Sequence, residues 1–150
     1  METTANKTTA TLLQLSAYAQ YIFPFGNFIL PVVIWSAKKD QSEFVNYNGK
    51  QAINFQLSFL LYTIALVIIA VPIFVFAFFK DTNINMWHDG HWVFERLTEG
   101  RITSIVVVGF IAAGIALILK VAEFFLILTA AIKNSNGENY KFPLTINFIK

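Results

Sequence analysis

Cysteine is absent from the 150 residues, which excludes disulfides, thiolate nucleophiles and zinc held by sulfur. Charge is scarce as well. Asp, Glu, Lys and Arg supply 13% of the chain, against about 25% in ordinary soluble domains. The 11 basic and 9 acidic residues leave a net charge of +2, and they are spread along the chain, so no basic patch suited to nucleic acid forms. No GxSxG, HExxH, P-loop or dinucleotide fingerprint occurs, and no carboxylate pair falls on a plausible cavity face. The expectation is a protein that is not an enzyme and carries no cofactor. What the chain has in excess is apolar side chains: 56% hydrophobic residues, 16 of them Phe, and a mean hydropathy of +0.58. That composition predicts an integral membrane protein.

Crossing a hydrocarbon core takes about 20 apolar helical residues, and segments 12–35, 54–79 and 102–132 meet that length. Residues 1–11, METTANKTTAT, show no convincing cleavage site and read as a disordered mature end; 12–150 then form a single domain. Loop 36–50 and the C-terminal tail carry Lys38, Lys39, Lys50, Lys133, Lys141 and Lys150, whereas loop 80–101 carries Lys80, Arg96 and Arg101. The positive-inside rule therefore places loop 36–50 and the C-terminus in the cytoplasm.

The first segment is interrupted. Pro24 and Pro31 enclose Gly26 and Asn27, and a proline removes a backbone donor and disfavours helix at the residue before it. Either one kinked span or two half-length helices in a re-entrant hairpin result, with the break at Pro24–Asn27; aromatic-flanked YIFPFGNFILP reads more like the turn of a hairpin. In the second segment Asn48 and Gln51 resemble a capping box. Lys50, Asn54, Ser58 and Tyr62 follow at intervals of four, so they form a polar stripe on one helical face, which in a membrane must look at protein or water. Its expected role is to satisfy carbonyls opened near Pro24 and Pro31, with Gln20 and Asn27 as partners. Pro72 is expected to kink the outer half of this helix.

The third segment, about 46 Å at 1.5 Å per residue, exceeds a core of about 30 Å and must tilt or protrude. Gly109, Ala113 and Ala116 offer a small-residue face for helix packing. Lys120 and Glu123 are three apart and can pair across one turn; they read as a snorkelling structural pair, a contact to another subunit, or an ion pathway. His88 and His91 could hold a metal only with ligands that the sequence does not place nearby, so no metal site is expected; Trp87 and Trp92 read as interfacial anchors beside a short amphipathic helix at VFERL. The tail, with Tyr140, Phe142, Leu144, Ile146 and Phe148 at a period of two and Pro143 among them, should run extended, sealing the cytoplasmic side or docking a partner.

ILPVVIW, then KKDQSEFVNYNGKQAINFQLSFLLY, then GENYKFPLTINFIK resemble, in order and spacing, a family of small bacterial membrane proteins grouped with the Tic-twenty-like proteins, named after a chloroplast protein-import component. The resemblance implies a multi-pass helical protein of the cytoplasmic membrane without catalysis. Together these readings predict an all-α integral membrane fold: a small bundle of three to four transmembrane or half-membrane helices with an extended C-terminal tail. The expected partners are the lipid bilayer and other membrane proteins, in homo- or hetero-oligomers. The expected role is an accessory or scaffold subunit in protein translocation, insertion or quality control; the alternative is a small ion or solute transporter using Lys120 and Glu123.

Overall fold

The computed structural model describes residues 2–81 and 103–150, and among them every regular element is helical. α1 is Thr4–Ser16, α2 is Gly26–Lys38, α3 is Glu43–Asp81 and α4 is Thr103–Ser135, with short 3-10 turns at Ala17–Tyr21 and Lys39–Gln41. Trp87, His88, His91, Trp92 and the VFERL segment lie outside the described residues.

Residues 4–11, expected to be disordered, instead form the first half of α1. Thr3 caps the helix by accepting from the Asn6 N–H, and the hydroxyls of Thr8, Thr9 and Thr11 donate back to carbonyls one turn earlier. Those bonds spare the threonines from open polar groups, while Ala10 and Leu13 are fully buried. Ala10 meets Phe44 and Val45 in a small apolar cluster, and that burial overrides a weak helix propensity.

The first apolar segment is broken, and the break starts earlier than the prolines suggest. The chain tightens into the 3-10 turn at Ala17, and α2 restarts at Gly26 after Phe25, which adopts a left-handed φ of 62°. Gly26 is required there because a Cβ would meet the Ala19 backbone at 2.5 Å. α1 and α2 pack on each other as a helical hairpin. Each has 13 residues, or about 20 Å at 1.5 Å per residue, short of a hydrocarbon core of about 30 Å.

α3 begins at Glu43, not at Asn48, which corrects the expected capping box. Ser42 is the cap: its hydroxyl accepts from the Phe44 N–H at 3.2 Å. Asn48 lies one turn and more inside the helix, fully buried, and Gly49 beside it gives room to Trp35, since a Cβ there would fall 2.3 Å from the indole. Pro72 is inside α3. α4 stops in a Schellman geometry, with Gly137 at φ 83°, the Gly137 N–H bonded to the Asn134 carbonyl and the Glu138 N–H to the Lys133 carbonyl.

The chain divides into two compact units, one of residues 1–61 with 120–150 and one of residues 62–119. In the first, Leu13, Phe55, Ile127 and Phe142 build the core with several alanines. In the second, none of the described side chains is buried.

Candidate functional site

Asparagine and glutamine side chains concentrate in the first unit, where four parts of the chain meet. Asn48 of α3 is the hub. Its amide nitrogen donates to the Phe44 carbonyl and to Asn139 Oδ1, both at 2.9 Å. Its oxygen accepts from Asn134 Nδ2 of α4 at 2.8 Å and from the Tyr140 N–H at 3.0 Å. Gln14 of α1 closes the network, donating to Asn134 Oδ1 at 3.0 Å and to the Asn48 carbonyl at 3.3 Å. Gln14, Asn48 and Asn134 are each at most 1% exposed. An amide stripped of water without partners costs about 1–3 kcal/mol, so this arrangement admits essentially one registration of α1, α3, α4 and the tail.

Asn54 and Ser58, part of the expected stripe, do face protein, but their partner differs from the expected one. Asn54 Oδ1 accepts from the Phe148 and Ile149 N–H groups and its Nδ2 donates to the Ile149 carbonyl, while Ser58 Oγ accepts from the Ile146 N–H at 2.8 Å and donates to the Asn54 carbonyl. The stripe thus holds the tail, not the carbonyls near Pro24 and Pro31, because the tail brings backbone donors that no strand or helix satisfies. Asn27 is reached from the neighbouring face instead: its Nδ2 donates to Gln56 Oε1 at 2.8 Å. Lys50 and Tyr62, the other stripe residues, are half-buried.

Phe142 inserts between these two sets of bonds and stacks on Phe55 with centroids 4.1 Å apart. Tyr140 packs edge-on against Phe142, and burial raises its phenol pKa above the usual value. Pro143 follows; its carbonyl accepts from the Thr145 hydroxyl.

Lys120 and Glu123 pair at 2.7 Å. Gln20 completes a ring, accepting from Lys120 Nζ at 3.0 Å and donating to Glu123 Oε1 at 3.2 Å. The Glu123 side chain is 1% exposed and that of Lys120 is 54% exposed. A buried carboxylate is tolerated when paired and hydrogen-bonded, and both its oxygens are engaged. Chemically the ring is a closed clasp between α4 and the 3-10 turn, reinforced by the Tyr18 hydroxyl donating to the Phe124 carbonyl at 2.8 Å. Among the described residues no group of three or more His, Cys, Asp or Glu gathers as a metal site.

Gln14, Asn48, Asn134, Asn139 and Gln56 were not singled out as site residues by sequence reasoning. The available signal was an amide flanked by apolar residues, as in LLQLS and AAIKNS, where lipid-facing placement would be costly.

Stretches of α3 and α4, Glu43–Phe76 and Val106–Ser135, are long and apolar enough to cross a membrane, with few of their side chains buried inside the protein. Comparison with known families matches residues 5–149 to one family, described as the magnetosome magnetite crystal formation protein family. The chain belongs to that family. No curated protein and no solved structure matches it. Membership in the magnetosome magnetite family overturns the resemblance to Tic-twenty-like proteins and, with it, the expected role in protein translocation, insertion or quality control. It equally removes the transporter alternative, and the ring around Lys120 gives a physical reason: each polar atom of the pair is turned to a partner within the chain. The magnetosome magnetite family and the two apolar helices fit a membrane location.

Proposed function

We propose that this chain is a multi-pass protein of the magnetosome membrane that acts in magnetite crystal formation without catalysing a reaction. The observation that carries the reading is the family match across residues 5–149, nearly the whole chain. In this reading α3 and α4 cross the membrane out and back. The hydrogen bonds from Asn48 to Asn134, Asn139 and Tyr140 support it, since they keep the start of α3 and the end of α4 on one side. The α1–α2 hairpin is re-entrant: its halves are too short to span, and Glu2 reaches the Ser42 hydroxyl, so both ends of the hairpin share that side. Its tip presents Tyr21, Ile22 and Phe25 outward, suited to the bilayer. Six basic residues in loop 36–50 and the tail, against three in 80–101, make the shared side cytoplasmic.

Deletion of the gene in a magnetosome-forming bacterium tests the role. Electron microscopy is expected to show magnetite crystals of altered size or shape, restored by the wild-type gene and not by a variant in which Asn48→Leu and Asn134→Leu dissolve the amide hub. Crystals indistinguishable from the parent strain's would contradict the proposal.

A further inference from the structure

A polar cleft of about 400 Å³ opens between the first turns of α3 and the end of the tail. Lys50 and Lys150 line it with Glu43, Tyr47, Gln51 and Asn147, so two ammonium groups face one side-chain carboxylate, a local excess of positive charge. Gln51 is only 9% exposed and its Oε1 lacks a hydrogen-bond partner. A buried acceptor left open costs free energy comparable to a lost hydrogen bond, which marks this wall of the cleft as waiting for a donor. The cleft therefore asks for an anion that also donates. A phosphodiester bearing an ethanolamine or glycerol group has both properties; a bare phosphodiester has only the first.

The tail beside the cleft is prepared for lipid. Ile146 and Phe148 are exposed on either side of Asn147, and the N–H groups of Ile146, Phe148 and Ile149 are already taken by Ser58 and Asn54. Apolar side chains on a backbone with its donors satisfied meet the requirement for contact with the acyl region, while lysines prefer the headgroup level.

We propose that this cleft holds the headgroup of a membrane phospholipid, with the phosphate on Lys50 and Lys150 and the headgroup's N–H or O–H donor on Gln51 and Glu43. The proposal rests on the membrane reading given above. It is tested on the full chain in detergent micelles supplied with phosphatidylethanolamine or phosphatidylcholine of the same acyl chains, bound lipid being counted by native mass spectrometry. The wild type should retain phosphatidylethanolamine in preference to phosphatidylcholine, whose headgroup has no donor. The double variant Lys50→Gln/Lys150→Gln should retain it about tenfold less, as two charge-assisted hydrogen bonds are lost, and Gln51→Leu should erase the preference between headgroups. Equal retention of the two lipids by the wild type, which needs no variant to fold, would overturn the proposal, as would undiminished retention by the lysine variant. Displacement of the lipid by millimolar inorganic phosphate would overturn it too, by showing an anion site indifferent to lipid. Alkaline carbonate extraction of cell membranes keeps the two readings apart: a wild-type chain washed off the membrane refutes membrane insertion itself, whereas an integral chain that retains no lipid refutes only the cleft.

Discussion

The two units of this chain solve the same problem, placing a polypeptide in an apolar setting, by opposite means. Residues 1–61 with 120–150 enclose Gln14, Asn48, Asn54, Gln56, Glu123 and Asn134 and give each a partner. In residues 62–119 the described side chains are almost all apolar and none is buried. Hydrogen bonds are directional, so the first unit admits one register; a lipid-facing apolar helix tolerates many sequences, because lipid tails are as apolar as leucine. The lesson is that structural specificity and hydrophobicity reside in different parts of this protein.

The contrast breaks most sharply at the hub. Asn48→Leu removes both bonding ends of the central amide and strands Asn134, Asn139 and the Tyr140 N–H; a loss of about 3 kcal/mol or more is expected, read as denaturant unfolding in detergent micelles. A change below about 0.5 kcal/mol would mean the hub is not what fixes the register. Next comes Gly49→Ala. Its Cβ would fall 2.3 Å from Trp35, so overpacking should cost about 1–3 kcal/mol in the same assay, with the indole fluorescence shifted. Ser58→Ala together with Asn54→Ala should free the tail while the helices persist, at about 1–2 kcal/mol; trypsin should then cut after Lys141 several times faster than in the wild type, and an unchanged rate would sever the stripe from the tail. The smallest effect is expected in the other unit. Gly109→Ala meets nothing within 4 Å and should stay within about 0.5 kcal/mol. A large loss there would show that the small-residue face is covered by another helix, sharpening the comparison by adding packing to the second unit.

Much of the fold was legible in the residues, and the exceptions have physical causes. Length and hydropathy gave the apolar helices, and the spacing of Lys120 and Glu123 gave their ion pair. Periodicity put Asn54 and Ser58 on a face turned to protein but was silent on the partner, because a period defines a direction and the tail that lies there is some 90 residues away. Asn48–Gly49 read as a helix start because both residues suit caps and turns. Here Gly49 serves close packing with Trp35 and Asn48 serves long-range bonding, neither of which leaves a local signature. The threonine-rich first residues read as disordered on composition, whereas their hydroxyls bond within α1 and Ala10 and Leu13 are buried. The family assignment by resemblance failed for a related reason. Amide-bearing motifs that hold a small membrane bundle together report architecture, and architecture does not fix function.

The absence of cysteine makes one measurement especially clean: single-cysteine labelling of intact cells and of permeabilised cells with a membrane-impermeant maleimide. Asp40→Cys in the first loop and Thr145→Cys in the tail should be protected together in intact cells and react together after permeabilisation of the cytoplasmic membrane, whereas Gly90→Cys should behave oppositely. Reaction of Asp40→Cys and Thr145→Cys from opposite sides would contradict the account, since no membrane could then separate partners that Asn48 holds within 3.0 Å.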